Sequence, residues 1–195
     1  DGYTLLVGPI GAALIAQIYY RKSFDMRRDL AAISKIGYGT IVLVVPPSLG
    51  VASVKELIAL AKAKPGQLTF ASSGTGSNIH LTGEMFKQRA GVDIVHVPYK
   101  GSALMLPDLI EGRVSMALDS MPAHLPHIKS GRLRPLTVGS LKRSAQLPDV
   151  PIMAEAGVKD FVVTSWGAYV MPAATPQAIV DKLSAVHKEI AADEA

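Results

Sequence analysis

The sequence predicts an α/β fold in which mostly parallel sheets are covered by helices. Three observations lead there. From about residue 40 onward, short apolar runs rich in β-branched residues alternate with amphipathic segments of helical spacing. The joints between them carry Gly, Ser and Pro, the residues that turn a chain. The composition sustains a core, since 49% of the 195 residues are hydrophobic and 18% are charged. A chain of this length buries roughly 70% of the surface its unfolded form exposes. Strand–helix alternation calls for crossover connections, hence parallel pairing with helices on the sheet faces.

Taken in order, residues 4–7 read as a buried strand, 8–11 as a turn and 12–20 as a helix. Residues 41–45 form a β-branched run stopped by Pro46 and Pro47, which suits a buried strand. Ser53-Val54-Lys55-Glu56 is a capping box, in which the serine and glutamate side chains satisfy reciprocal backbone donors. It opens a helix through Leu57, Ile58, Leu60 and Ala61 that Pro65-Gly66 closes. A strand is expected over 67–71, a Gly/Ser loop over 72–77, and a helix over 78–90 with Gly91 at its end. Strands follow at 93–97, 114–119 and 136–140, with helices at 102–111 and 123–130 that Pro107 and Pro126 kink or shorten. Residues 141–157 read as loop with one short helix. Thr175 and Pro176 open a closing helix whose Ile179, Val180, Leu183, Val186 and Ile190 fall on one face.

Several classes of function are excluded early. Without cysteine there is no disulfide framework, thiolate metal site or Cys nucleophile. The net charge of +4 is spread along the chain, and four Phe, six Tyr and one Trp make no stacking ladder, so no nucleic acid is expected as a partner. The uncharged run of residues 5–20 falls short of the roughly 20 residues of a membrane span, and Gly8, Pro9 and Gly11 interrupt it. Arg21 and Lys22 follow that run instead of preceding it, unlike a signal peptide. The chain begins Asp1-Gly2-Tyr3 with no Met, so the native start is expected upstream.

The most informative stretch is Ser72-Ser73-Gly74-Thr75-Gly76-Ser77, between a strand and a helix. Glycines let the backbone turn tightly and approach a ligand. The first N–H groups of the helix have no intrahelical partner, and the helix dipole adds partial positive charge, so an anion is welcome without Lys or Arg. Hydroxyls of Ser72, Ser73, Thr75 and Ser77 can complete the shell of a carboxylate or phosphate, although an ordinary capped turn also favours these residues. A P-loop would need Lys after the second glycine, where Ser77-Asn78 stand, and a dinucleotide loop would need Gly in place of Ile79.

Two further loops join strand ends to helix starts. Tyr99 and Lys100 offer a wall, a hydroxyl and a charge, or else mere packing and solvation. Asp119 and Ser120 stand at another strand's carboxyl end, where Asp119 can accept from a ligand or cap the next helix. In an open parallel sheet ligands gather outside the carboxyl ends of the strands, so the three loops would share one edge. Enzyme signals are poor: there is no G-x-S-x-G elbow, and His80 is placed to order the loop more than to act as a base. His124 and His127 with Pro126 between them make a weak metal pair, His96 and His187 read as structural or exposed, and no cofactor is expected. The rival reading is an α/β enzyme that grips a phosphate-bearing substrate or cofactor with residues 72–77.

The wording of the chain resembles the substrate-binding receptors of tripartite tricarboxylate transporters, the Bug family. The likeness is carried by Pro65-Gly66-Gln67-Leu68, Ser72 to Ser77, His80-Leu81 and Gly83-Glu84-Met85-Phe86. It continues through His96-Val97-Pro98-Tyr99-Lys100-Gly101, Asp108 to Val114, Leu118-Asp119, Pro126 to Arg134, Leu147 to Pro151 and Ala154 to Gly157, and reaches both ends of the chain. The resemblance implies a two-lobed type II periplasmic binding protein that closes like a hinge on a small organic carboxylate: a di- or tricarboxylate, an acidic amino acid or an aromatic acid. It implies membrane transporter subunits as partners, a periplasmic location, and neither metal nor catalysis. The first lobe would hold residues 1–45 and 165–195, and the second 46–164. Ligand contacts carried over are Ser72, Ser73, Gly74, Thr75, Gly76, Ser77 and Asp119, with Gly8, Pro9, Tyr99, Lys100 and Ser120 as further candidates. This chain departs from the family where Pro9-Ile10 replace small hydroxylic residues and Ala16 replaces a frequent Asn. The resemblance implies that the chain starts after the family's first strand and Gly-rich loop and stops before the usual carboxyl end, and hence that an incomplete first lobe is expected.

Overall fold

The computed structural model describes residues 4–8 and 25–192. The chain divides into one unit of residues 1–38 with 166–195 and another of residues 39–165. In chain order the described elements are β1 (Leu6–Gly8), α1 (Met26–Asp29), β2 (Leu30–Val45), α2 (Val54–Ala63), β3 (Thr69–Ser72), α3 (Asn78–Ala90), β4 (Val95–Pro98) and α4 (Ser102–Ile110). There follow β5 (Met116–Ser120), α5 (Met121–Lys129), β6 (Arg134–Val138), β7 (Thr164–Pro172) and α6 (Gln177–Ala192).

In the 39–165 unit, β3 pairs in parallel with β4, Ser72 opposite Pro98, and with β5, Ala71 opposite Ala117. The second half of β2 pairs antiparallel with β5 on one side and β6 on the other. The sheet is therefore mixed, with β5, β3 and β4 forming on one side a parallel run of the kind that strand–helix alternation predicts. Both of its faces are covered. Ile41, Leu43, Phe70, Met116 and Leu118 meet Leu57 and Ala61 of α2 and Phe86 of α3 on one face. Val42, Val44, Ala71 and Ala117 meet Met105 and Leu109 of α4 and Met121 of α5 on the other. Residues 41–45 read as an unbroken apolar run because alternate side chains enter two cores.

Local chemistry sets the helix ends. Ser53 Oγ accepts from Glu56 N–H at 3.2 Å, and Glu56 Oε2 accepts from Ala52 N–H at 2.8 Å, so the capping box closes one residue before the cap itself. Pro107 and Pro126 remain inside α4 and α5, each of which ends within four residues of its proline.

In the other unit, β1 pairs antiparallel with β7, Leu6 opposite Val170. Val180 of α6 is buried against Ile33 of β2 and Met171 of β7, with Ile179 and Leu183 beside it. The same face of α6 continues into exposed residues, Val186 at 42% and Ile190 at 66%. Thr175 is buried, but its hydroxyl finds no hydrogen-bond partner among the described residues, so it does not cap α6 as expected.

Other expectations need correction. The strand expected over 4–7 lies at Leu6–Gly8, and Leu5, Leu6 and Val7 are exposed, not buried. Most of the expected turn at 8–11 and the whole helix at 12–20 lie outside the described residues. β2 extends from Leu30, far earlier than 41, so the unit boundary falls at residues 38 and 39 within a continuous strand and not at Pro46. No helix forms over 141–157, where turns held by such bonds as Leu147 N–H to Ser144 O and Val150 N–H to Leu147 O serve instead.

Candidate functional site

β3, β4, β5 and β6 run in one direction, so their carboxyl ends share an edge of the 39–165 unit. The loops singled out in the sequence leave from that edge, where ligands of open α/β sheets collect. The first follows β3. Gly74 at φ 138° and Gly76 at φ 77° adopt backbone conformations that other residues rarely enter. Ser77 caps α3, its hydroxyl accepting from His80 N–H at 3.1 Å. The helix is seated by a missing side chain: a Cβ on Gly83 would lie 2.1 Å from the Phe70 ring.

The loop is held by its own bonds. Ser72 is fully buried, and its Oγ lies 2.6 Å from His96 Nε2, 3.1 Å from the Gly74 carbonyl and 3.2 Å from Gly74 N–H. One hydroxyl proton cannot serve both acceptors, so the His96 tautomer decides whether Ser72 donates to the ring or to Gly74 O. Gly76 N–H donates to His80 Nδ1 at 3.0 Å, which requires that nitrogen to be bare. The hydroxyls of Ser72 and Ser77 and the amides of Gly74 and Gly76, offered to a ligand by the sequence, are thus satisfied within the protein. The physical reason is that small residues cannot hold a turn by packing and must bond to one another and to their neighbours. The groups left over are Ser73, which makes none of these bonds, and the N–H groups of Asn78 and Ile79, which begin α3 without intrahelical acceptors. Thr75 beside them is exposed.

The second loop follows β4. Tyr99 N–H donates to Ser72 O at 2.9 Å, tying the two loops together. Its hydroxyl donates to Asp108 Oδ2 at 2.6 Å, and burial together with that carboxylate pushes the phenol up to about 12. Asp108 is held below the usual carboxylate range by the Tyr99 hydroxyl and by Arg113, 2.6 Å away. Lys100 is exposed.

In the third loop Asp119 is 1% exposed. Its Oδ1 accepts from Ser120 N–H at 2.6 Å and its Oδ2 lies 3.0 Å from the equally buried His124 Nε2. The carboxylate offered to a ligand is therefore committed inside. Ser120 is half-buried, with its hydroxyl close to Gly39 at the start of this unit. Gly8 pairs with Ala168 in the other unit, and Pro9 lies outside the described residues. Among the described residues no three His, Asp or Glu side chains converge where they could hold a metal ion.

Sequence reasoning missed the Asp119–His124 pair, the Tyr99–Asp108–Arg113 chain and the role of His96. A spacing of five across a strand-to-helix turn signals the first, while the last depends on strand register. Burial, then the nearby His80, pushes the His96 imidazole below its ordinary value.

This architecture is that of a periplasmic binding protein. It superposes on a Rhodopseudomonas palustris protein solved with adipate, at TM-score 0.95 and 38% identity, covering 100% of this chain and 65% of that one. It also superposes on the periplasmic binding protein BugD, at TM-score 0.91 and 29% identity, again covering 100% and 65%. The model of the tripartite tricarboxylate transporter family receptor matches residues 1–194, and the chain belongs to that family, one of receptors and not of enzymes. It is 41% identical over 182 residues to protein BugT of Bordetella pertussis, covering 92% of this chain and 56% of the relative. It is 38% identical over 196 residues to a Pseudomonas UPF0065 protein from the tcbD-tcbE intergenic region, covering 100% and 58%. The chain thus spans somewhat more than half the length of these curated relatives.

Proposed function

We propose that this chain binds a small organic carboxylate as part of an extracytoplasmic, periplasmic solute receptor that serves the membrane subunits of a tripartite tricarboxylate-type transporter. The observation that carries the reading is the division of labour after β3. Internal bonds hold the loop, while Ser73 and the first two amides of α3 remain for an anion at the positive end of a 13-residue helix. A dicarboxylate is the favoured class, because the R. palustris relative, 38% identical, was solved with adipate. No helix among the described residues is long and apolar enough to cross a membrane.

Magnitudes bound the reading. Three hydrogen bonds to a charged acceptor contribute about 5–9 kcal/mol, against which the lost freedom of association must be set, so the loop alone binds weakly. Tighter binding requires contacts to the rest of the ligand, and these set its identity, since amides recognise only the carboxylate.

Calorimetric titration with adipate, citrate, glutamate, benzoate and a sugar phosphate tests the proposal. Stoichiometric binding of at least one carboxylate is expected. A flat response to all the carboxylates, or a phosphate ester that outcompetes them, overturns it.

A further inference from the structure

Two histidines meet beneath the Ser/Gly loop from different elements, His96 on β4 and His80 in the first turn of α3. Their rings stack with centroids 3.9 Å apart and planes at 22°. Phe70 of β3 closes the pile against His96, at 4.9 Å and 27°. Each ring reaches the loop with a different nitrogen: His80 Nδ1 accepts from Gly76 N–H at 3.0 Å, and His96 Nε2 holds Ser72 Oγ at 2.6 Å, which in turn accepts from Gly74 N–H.

We propose that His80 and His96 are positioning residues for the anion loop, one ring stack that grips it at two points through non-equivalent ring nitrogens. The consequence for affinity rests on the carboxylate-binding reading above; the consequence for loop order does not. Gly74 and Gly76 carry no side chain that could anchor them, and glycine loses more freedom on ordering than any other residue, so the anchors must come from elsewhere. Protonation of His80 at Nδ1 would set donor against donor at Gly76. Glu84, 3.9 Å from His80 Nε2, is itself paired with Lys87 at 3.1 Å. Burial, then the neighbouring His80, holds the His96 imidazole below its ordinary value.

Amide isosteres test which nitrogen matters. Asn carries its amide oxygen where histidine carries Nδ1, and Gln reaches where histidine carries Nε2. His80→Asn and His96→Gln should therefore preserve the loop, while His80→Gln and His96→Asn should release it, although all four lose the ring stack. The readouts are hydrogen exchange of the Gly76 and Gly74 amides in the ligand-free chain and the calorimetric Kd for adipate. The releasing variants are expected to exchange about tenfold faster and bind about tenfold more weakly, the worth of one hydrogen bond. If the two amides at each position behave alike, both preserving or both releasing, ring packing alone explains the site and the proposal is overturned. A wild-type chain that binds no adipate counts against an adipate ligand only, and amide exchange still decides the latch.

Discussion

The turn after β3 presents main-chain N–H groups and has no charged residue between Leu68 and Ile79, whereas the turn after β5 carries a carboxylate and hides it. Both turns lie on the same sheet edge, and both lean on histidine: His96 and His80 serve the first, His124 the second. The difference is electrostatic. An open aspartate about 6 Å from a bound carboxylate would repel it by about 3 kcal/mol at an effective dielectric near 20. Asp119 is tolerated at this edge because it is 1% exposed and both of its oxygens are occupied. On the proposed reading, sealing Asp119 spares an anion at the β3 turn that repulsion.

The largest effect is expected where that seal is removed. Asp119→Ala leaves Ser120 N–H and the buried His124 Nε2 without their acceptor, at a cost of about 3–4 kcal/mol in denaturant unfolding. Asp119→Asn keeps the Ser120 N–H bond through its amide oxygen and can donate to His124 Nε2 once that ring carries its proton on Nδ1. It should therefore cost less than the alanine; equal losses would show that charge, not hydrogen bonding, holds the turn. Next comes Gly83→Ala, which overpacks the other turn's foundation, because the new Cβ would lie 2.1–2.8 Å from Phe70 ring carbons. It should cost about 1–3 kcal/mol and weaken adipate binding, because the loop rides on α3. The His124 imidazole signal should stay in place, and movement there would break the independence of the two turns.

Much of this arrangement is legible in the sequence. The bounds of α3, residues 78–90, follow from Ser77 and Gly91, and the capping box marks where α2 begins. The alternation of strands and helices predicts the parallel run of β5, β3 and β4 and, from it, the shared edge. The first half of β2 is hidden because Lys35, Gly37 and Gly39 interrupt its apolar pattern, and β7 because Ser165 and Gly167 do the same. The position of the loop can be read from its small residues, but its internal bonds cannot. His96 reaches Ser72 only through a strand pairing that sets His96 opposite Phe70, and register is a tertiary fact. Asp119 illustrates the same limit, since its residue type allows ligand contact and only its burial refuses it.

Within the first turn, neighbouring serines should separate structure from binding. Ser72→Ala strips the buried group that joins His96 to Gly74, and a loss of about 1–3 kcal/mol is expected in stability. Ser73→Ala touches none of those bonds and should alter stability by no more than about 0.5 kcal/mol. It should instead weaken adipate by up to about tenfold if its hydroxyl meets the ligand. Equal stability losses for the two serines would erase the distinction between held and offered groups.

The smallest effect concerns the loop after β4, which handles its carboxylate in a third way. Asp108 is neither absent nor sealed: Tyr99 donates to one oxygen and Arg113 to the other, each at 2.6 Å. The Tyr99 phenol is raised from its ordinary 10 to about 12, first by burial and then by Asp108. The folded value lies above the unfolded one, so the stabilisation from a protonated phenol is whole below pH 10 and is lost as pH rises through about 12. Asp108 works in the opposite sense, because its lowered value means that its contribution fades as pH falls below the ordinary 3.8. Subtracting the ultraviolet titration of Tyr99→Phe from that of the wild type isolates this phenolate, with a midpoint expected near 12. In Asp108→Asn the midpoint should fall towards 10 without reaching it, because burial is the larger cause and remains. A midpoint that does not move would show that Asp108 has no hold on Tyr99, and that Arg113 alone neutralises the carboxylate at this corner of the edge.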